Sequence, residues 1–519
     1  MILNNLTNHS FFIMKQIKIL LLLTLLSASI SAQNDRYFDQ LFSNVDVTLD
    51  VTYAVNATVL FLAPPPNGAG QAIPQALKVD IYEPSGDIET ARPLIIILHT
   101  GNFLPPQVNG GCSGTRKDAT DVSMAMRLAK MGYVVGVADY RLGWNPVAGT
   151  QTERIYTLIN AAYRGVQDVN TCVRFFRSKH ASGNEYGIDP NRITVWGIGT
   201  GGYIATAAAT LDTITDTYIP KFLTPQGPMV LEFLSGNVEG TTYGVNPGIP
   251  GLPYPAGDTL GYVNHPGFSS EFNLAVNLGG ALGDTSWIEA GEIPIISFHN
   301  PTDPFAPCGT AIVLVPPPIN LPVVEVTGSC GFQPILNAKG NQNAMIVANL
   351  NDPLSIKAKS LNGNIEGFYP FLGTDSSPWG FAASSNPYGL TTDPMCETKA
   401  ATHERYLDTI IAYFAPRACA VLSLGNCAGK TVNIQNLSAA EVGMSAVPNP
   451  TSADFTLKTD ERFLMQSIEV LDIAGRRCGN FQNVNASQYT VIRNGMAPGV
   501  YFARVRFNEG TVTQKIILQ

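Results

Sequence analysis

The feature that most constrains this chain is a rhythm: between residues 33 and 435, short uninterrupted apolar runs alternate with longer amphipathic stretches. The runs at 94–98 (LIIIL), 133–138, 193–196, 274–278 and 293–298 are too apolar for strands with one wet face. They suit strands covered on both sides, as in a parallel sheet wrapped by helices. Between them Val166, Val169, Val173 and Phe176 recur at three- and four-residue spacing, which predicts a helix over 161–176 with one buried face. Residues 33–427 are therefore expected to form an α/β domain on a doubly wound, mostly parallel sheet. Residues 212–262 and 309–345, rich in Gly, Pro, Thr and Asn, break the rhythm and read as insertions over the sheet edge that form a lid or pocket wall. A polar linker at 428–446 leads to 447–519, where alternating strands and turns such as Ala474-Gly475 and Pro498-Gly499 predict a small all-β sandwich.

A chain of 519 residues exceeds what one hydrophobic core usually serves, which fits this division. Its net charge of -8, with no basic run outside the extreme N-terminus, excludes a nucleic-acid partner. Lys15 and Lys18 precede an apolar run at 19–26 and small residues at 27–32, the pattern of a signal peptide. Met14 is the expected start, so residues 1–32 divide into an extension and the signal. The apolar run falls short of the ~20 residues that span a bilayer, and no transmembrane segment is expected. Export implies an oxidising compartment, so the eight cysteines favour disulfides over metal sites. Cys308 with Cys330 and Cys419 with Cys427 close short loops and are the preferred pairs. Cys112, Cys172, Cys396 and Cys478 stay unassigned.

Two resemblances add to this. The tail opens on Val447-Pro448-Asn449-Pro450, turns at Ile473-Ala474-Gly475, continues in Gly499-Val500-Tyr501 and ends in Lys515-Ile516-Ile517-Leu518. In these motifs it resembles the C-terminal sorting domain of type IX secretion cargo. That implies the type IX machinery as a partner and a secreted or cell-surface location, with the tail removed or used as an anchor. In the main domain, the segment 189–202 (DPNRITVWGIGTGG) has the layout of a strand, a tight turn and a helix. With Ala138-Asp139-Tyr140-Arg141-Leu142 and His99-Thr100-Gly101-Asn102-Phe103, it resembles the carboxylesterase branch of the α/β-hydrolases, whose nucleophile elbow reads G-x-S-x-G-G.

In that register the nucleophile's place falls on Gly199, which has no side chain to attack with. A second register puts Thr200 there, since threonine attacks when a base activates it. In the first register Thr200 instead lends its backbone N–H to an oxyanion hole shared with the Gly101-Asn102 turn. Phe298-His299-Asn300-Pro301-Thr302-Asp303 resembles the esterase segment that carries the triad acid, which implies that role for Asp303; the alternative is a turn-capping aspartate. Asn364-Ile365-Glu366-Gly367-Phe368 resembles the segment that carries the base and puts Glu366 in the histidine's slot. His403 is the alternative base, but it shares a helical face with Tyr406, Leu407, Ile410, Ile411 and Phe414 and reads equally as a packed core residue. Asp303, Glu366 and His299 offer a cation ligands without the spacing of any particular metal, so neither metal nor cofactor is expected. The functional expectation is an exported esterase-like domain, catalytically degenerate, that binds a small acyl, ester or carboxylate ligand. The alternatives are an active carboxylester hydrolase using Thr200, Asp303 and His403, and a structural surface protein.

Overall fold

The computed structural model describes residues 36–59, 72–106, 108–109, 113–249, 255–315, 319–373, 377–380, 400–425, 439–440, 442–473, 476–507 and 511–519. The proposed signal peptide, most of the linker, and Cys112, Cys396 and Cys427 lie outside these residues. Eight strands form the central sheet: β1 (Val45–Val59), β2 (Ala72–Pro84), β3 (Arg92–Leu98), β4 (Val134–Ala138), β5 (Ile188–Ile198), β6 (Leu274–Leu278), β7 (Ile295–His299) and β8 (Phe368–Pro370). Their order is β1-β2-β4-β3-β5-β6-β7-β8. β2 runs antiparallel to β1 and β4, and the other pairs are parallel. The expected α/β class and mostly parallel sheet are thus the observed ones, and the five apolar runs all fall in central strands.

Both faces of this sheet are covered, which is why those strands read as continuous apolar runs. In β3, Leu94, Ile96 and Leu98 enter one core with Val166, Val169, Val173 and Phe176 of α2 (Gln151–Ala181) and Ile204 of α3 (Thr200–Ala208). Ile95 and Ile97 enter the other with Met124 and Leu128 of α1 (Ala119–Lys130) and Leu407, Ile410 and Phe414 of α6 (Ala400–Leu422). Each such fully buried side chain contributes about 1.5–3 kcal/mol. Two further helices, α4 (Ser329–Ala338) and α5 (Pro353–Asn362), complete the layers.

The two irregular stretches depart from the expectation of edge insertions. Residues 235–240 lie along the polar flank of α2: Gln167 donates to the Ser235 and Asn237 carbonyls, Tyr163 to Gly236, Asn170 to Val238, and Arg174 to Gly240. Buried polar groups need partners, and here the loop's backbone supplies them. The second stretch builds a hairpin of Thr310–Leu314 and Pro322–Gly328 and then α4, whose Phe332 and Leu336 enter the main core. The Cys308–Cys330 disulfide ties the loop after β7 to the start of α4. Cys419 is also disulfide-bonded, while Cys172 and Cys478 are free thiols.

The tail forms two antiparallel sheets. β9 (Ser445–Val447), β10 (Phe455–Lys458) and β13 (Gln488–Val491) make one; β12 (Arg477–Ala486), β11 (Met465–Asp472), β14 (Gly499–Arg506) and β15 (Thr511–Leu518) make the other, in those orders. Phe455, Leu457, Ile468, Val470, Val505 and Ile516 share its core.

Candidate active site

At the end of β5 the chain turns sharply into α3, and the residue at the tip is Gly199, with φ 55° and ψ -115°. For a residue with a side chain this backbone costs on the order of 1–3 kcal/mol; glycine adopts it freely. The neighbouring glycines answer close approach: a Cβ on Gly197 would stand 2.0 Å from the Gly201 carbonyl oxygen, and one on Gly201 2.1 Å from that of Leu98. The turn therefore seats α3 directly against β3. Gly199 anchors it by donating its N–H to the Leu278 carbonyl at 2.8 Å.

Thr200 is the first residue of α3, and its hydroxyl lies 3.0 Å from the Tyr140 hydroxyl. Tyr140 also donates toward the His99 carbonyl at 3.0 Å, and burial raises its pKa. At the head of α3 the Gly202 N–H donates to the Gly199 carbonyl at 2.9 Å, and the N–H groups of Thr200 and Gly201 come before the first intrahelical bond. Beside them runs the turn after β3, where Gly101 and Asn102 both have positive φ, 124° and 58°. Trp144 holds that turn through its indole N–H on the Asn102 carbonyl at 2.7 Å, and Asn102 donates its amide to Asn109. In the Asp139-Tyr140-Arg141 motif, Arg116 pairs with Asp139 and Arg141 with Asp168, so only Tyr140 reaches the elbow.

Asp303 lies in the loop after β7. Its Oδ1 accepts from the N–H groups of Phe305 at 2.7 Å and Ala306 at 3.1 Å, the capping geometry weighed from the sequence. Its Oδ2 lies 3.9 Å from the point where a side chain on Gly279 would begin, and the Trp379 indole lies 3.0 Å from that same point. Gly279 directly follows Leu278, the residue that holds Gly199, so Asp303 belongs to the elbow end. Burial raises its pKa to about 6.

Glu366 is not there. Ile198, Leu278, Phe298 and Tyr369 stand level across the sheet. Glu366 lies before β8 begins at Phe368, across the turn at Gly367 (φ 79°), and so at the amino end of that strand rather than at the carboxyl end where the elbow stands. It is engaged by Arg417 of α6 (Nε to Oε1 2.8 Å, Nη2 to Oε1 2.6 Å), with Lys359 3.8 Å away. The segment after β8, where a base would be carried, runs from 371 to the start of α6 at Ala400, and the sequence holds no histidine between His299 and His403.

Three of the other histidines are held by partners. His299 is fully buried between Ser329 Oγ (3.0 Å from Nδ1) and the Ala306 carbonyl (2.9 Å from Nε2), and burial lowers its pKa to about 4. Its Nε2 therefore donates and its Nδ1 accepts. His99 stacks on Tyr140 at 4.5 Å and donates from Nδ1 to the Thr100 carbonyl; burial lowers its pKa too. His265 bonds the Tyr53 carbonyl. His403 falls in α6, but its side chain lies outside the described ones. Among the described residues no group of three or more His, Cys, Asp or Glu is placed to hold a metal, and His299, Asp303 and Glu366 do not converge. No helix among them is long and apolar enough to cross a membrane.

Residues 79–228, from β2 through the elbow helix, match the BD-FAE family model. This is an esterase-like α/β-hydrolase domain. Residues 445–519 match the model of the secretion system C-terminal sorting domain, which places the hydrolase-like domain in the hands of type IX secretion and supports a secreted or cell-surface location. Among solved structures, the apo form of Thermogutta terrifontis esterase 2 is similar at 17% identity over 67% of this chain and 90% of that one, with a TM-score of 0.32. The same esterase phosphorylated by paraoxon gives 17%, 67%, 89% and 0.32, and its butyrate-bound form 17%, 64%, 89% and 0.30. No curated protein matches the chain.

Proposed function

We propose that the hydrolase-like domain is a surface ligand-binding module that holds a small carboxylate or acyl ligand at the elbow without cleaving esters. The observation that carries this reading is Gly199 at the tip of the turn, with the one adjacent hydroxyl of α3 bonded to a phenol rather than an imidazole. A nucleophile needs both a side chain at the reacting point and a base within about 2.6–3.2 Å. What remains suits an anion or a carbonyl oxygen: the Thr200 and Gly201 amides at the head of α3 and those of the Gly101-Asn102 turn. Asp303, which meets no imidazole among the described residues, becomes a titrating neighbour of the ligand.

The test is a butyrate titration of the purified protein by calorimetry, with hydrolysis of 4-nitrophenyl butyrate followed in parallel. Saturable binding without turnover supports the reading. Turnover abolished by Thr200→Ala or His403→Ala would instead establish a threonine-dependent hydrolase with Asp303 as its acid. Neither binding nor turnover would leave a structural surface protein.

A further inference from the structure

The space that a side chain on Gly199 would need is already filled from another loop. A Cβ at Gly199 would stand 2.2 Å from Thr100 Oγ1 and 2.9 Å from Thr100 Cβ. The register explains the meeting: Leu98 of β3 pairs with Gly197 of β5, so the residues two further along each strand, Thr100 and Gly199, emerge side by side. Thr100 is half-buried, and its carbonyl is taken by His99 Nδ1 and approached by the Tyr140 hydroxyl at 3.5 Å. Its own hydroxyl meets no hydrogen-bonding group among the described residues. A serine Oγ would lie one bond beyond the Cβ position, so Thr100 Oγ1 borders the place where an elbow nucleophile's oxygen belongs. It cannot be that nucleophile by the same criterion applied to Thr200: no described imidazole engages it.

We propose that Thr100 supplies the hydroxyl missing from the elbow and uses it as the hydrogen-bond donor that selects an anionic ligand. This rests on the proposed ligand-binding function and deepens it. An ionised carboxylate only accepts hydrogen bonds, so it is matched by a free hydroxyl beside open amides, whereas an ester carbonyl offers a weaker acceptor and no charge. The pocket then prefers the acid over its ester. The side chain also has a steric consequence: Thr100 and a residue larger than glycine at 199 exclude each other.

Two measurements test these halves separately. In the butyrate titration, Thr100→Val, which keeps the shape and removes the hydroxyl, is expected to raise Kd about 10-fold or more, the scale of one hydrogen bond to a charged group. Thr100→Ser should stay within about 3-fold of the parent. Equal affinity of the parent and Thr100→Val overturns the inference while the binding function stands; no binding by the parent overturns that function itself. In thermal melting, Gly199→Ser is expected to fall by on the order of 5 °C, and Thr100→Gly/Gly199→Ser to recover the part of that loss due to the Thr100 contact but not the part due to backbone strain at 199. A Gly199→Ser protein as stable as the parent would show that Thr100 does not occupy the place, and would overturn the inference without reference to any ligand.

Discussion

Glu366→Gln separates a structural carboxylate from a catalytic one. The Arg417 side chain is fully buried and that of Glu366 nearly so, with 0% and 5% of their surfaces exposed. Glu366 Oε1 takes two contacts from the guanidinium and a third from the Gly367 N–H at 3.1 Å, while Arg417 Nη1 donates to the Tyr413 carbonyl at 3.0 Å. Glutamine keeps the volume but removes the countercharge, leaving a buried cation without its partner. Breaking one side of such a pair costs about 3–5 kcal/mol. The melting transition of the α/β domain should drop by several degrees or more. Butyrate affinity, measured well below the transition, should be unchanged, because the pair lies at the amino end of β8, away from the elbow end of the sheet. Glu366→Met/Arg417→Met should recover much of the loss, since apolar replacement of a buried pair is close to neutral. A loss under about 1 kcal/mol would refute the assignment of Glu366 to the core. So would ester hydrolysis gained by Gly199→Ser/Glu366→His, which requires Glu366 to face the elbow.

Asp303→Asn is expected to remove a specific pH dependence. Burial raises the Asp303 pKa to about 6 in the folded protein, against about 3.9 unfolded, so folding favours the protonated form. The associated stability is fully present below about pH 4 and is lost as pH rises through about 6; the parent-minus-variant difference in denaturant melts across that window should follow this sign. Butyrate affinity, expressed per ionised butyrate, should likewise weaken through the same range as a second anion forms nearby, and Asp303→Asn should flatten that profile. For the Cys308–Cys330 disulfide, whose partners are 22 residues apart, the Cys308→Ser/Cys330→Ser protein should lose about 3 kcal/mol in chemical denaturation.

The legible parts of this molecule were those whose chemistry is local. β3 and β6 announce themselves because both their faces are buried, and residues 274–278 coincide with a strand. The elbow is legible because Gly197, Gly199 and Gly201 each answer a backbone constraint. Only about half of α2 was legible, because the apolar period set by Val166, Val169, Val173 and Phe176 does not extend to the helix ends at 151–160 and 177–181. Glu366 was misplaced because the turn at Gly367, φ 79°, leads into the three-residue β8 instead of leaving it. With so short a strand, a four-residue match cannot tell one end from the other. Thr100 carried no sequence signal of its own. Its meaning depends on the absence of a side chain 99 positions later, a relation that appears only when β3 and β5 are paired.

The most direct test of the central claim is to incubate the purified protein with a fluorophosphonate and measure its intact mass, since such reagents phosphonylate an activated hydroxyl irrespective of which ester the site prefers. No adduct is predicted, because neither Thr200 nor Thr100 meets an imidazole among the described residues. A stoichiometric adduct on either threonine would show a working nucleophile at the elbow and contradict the account.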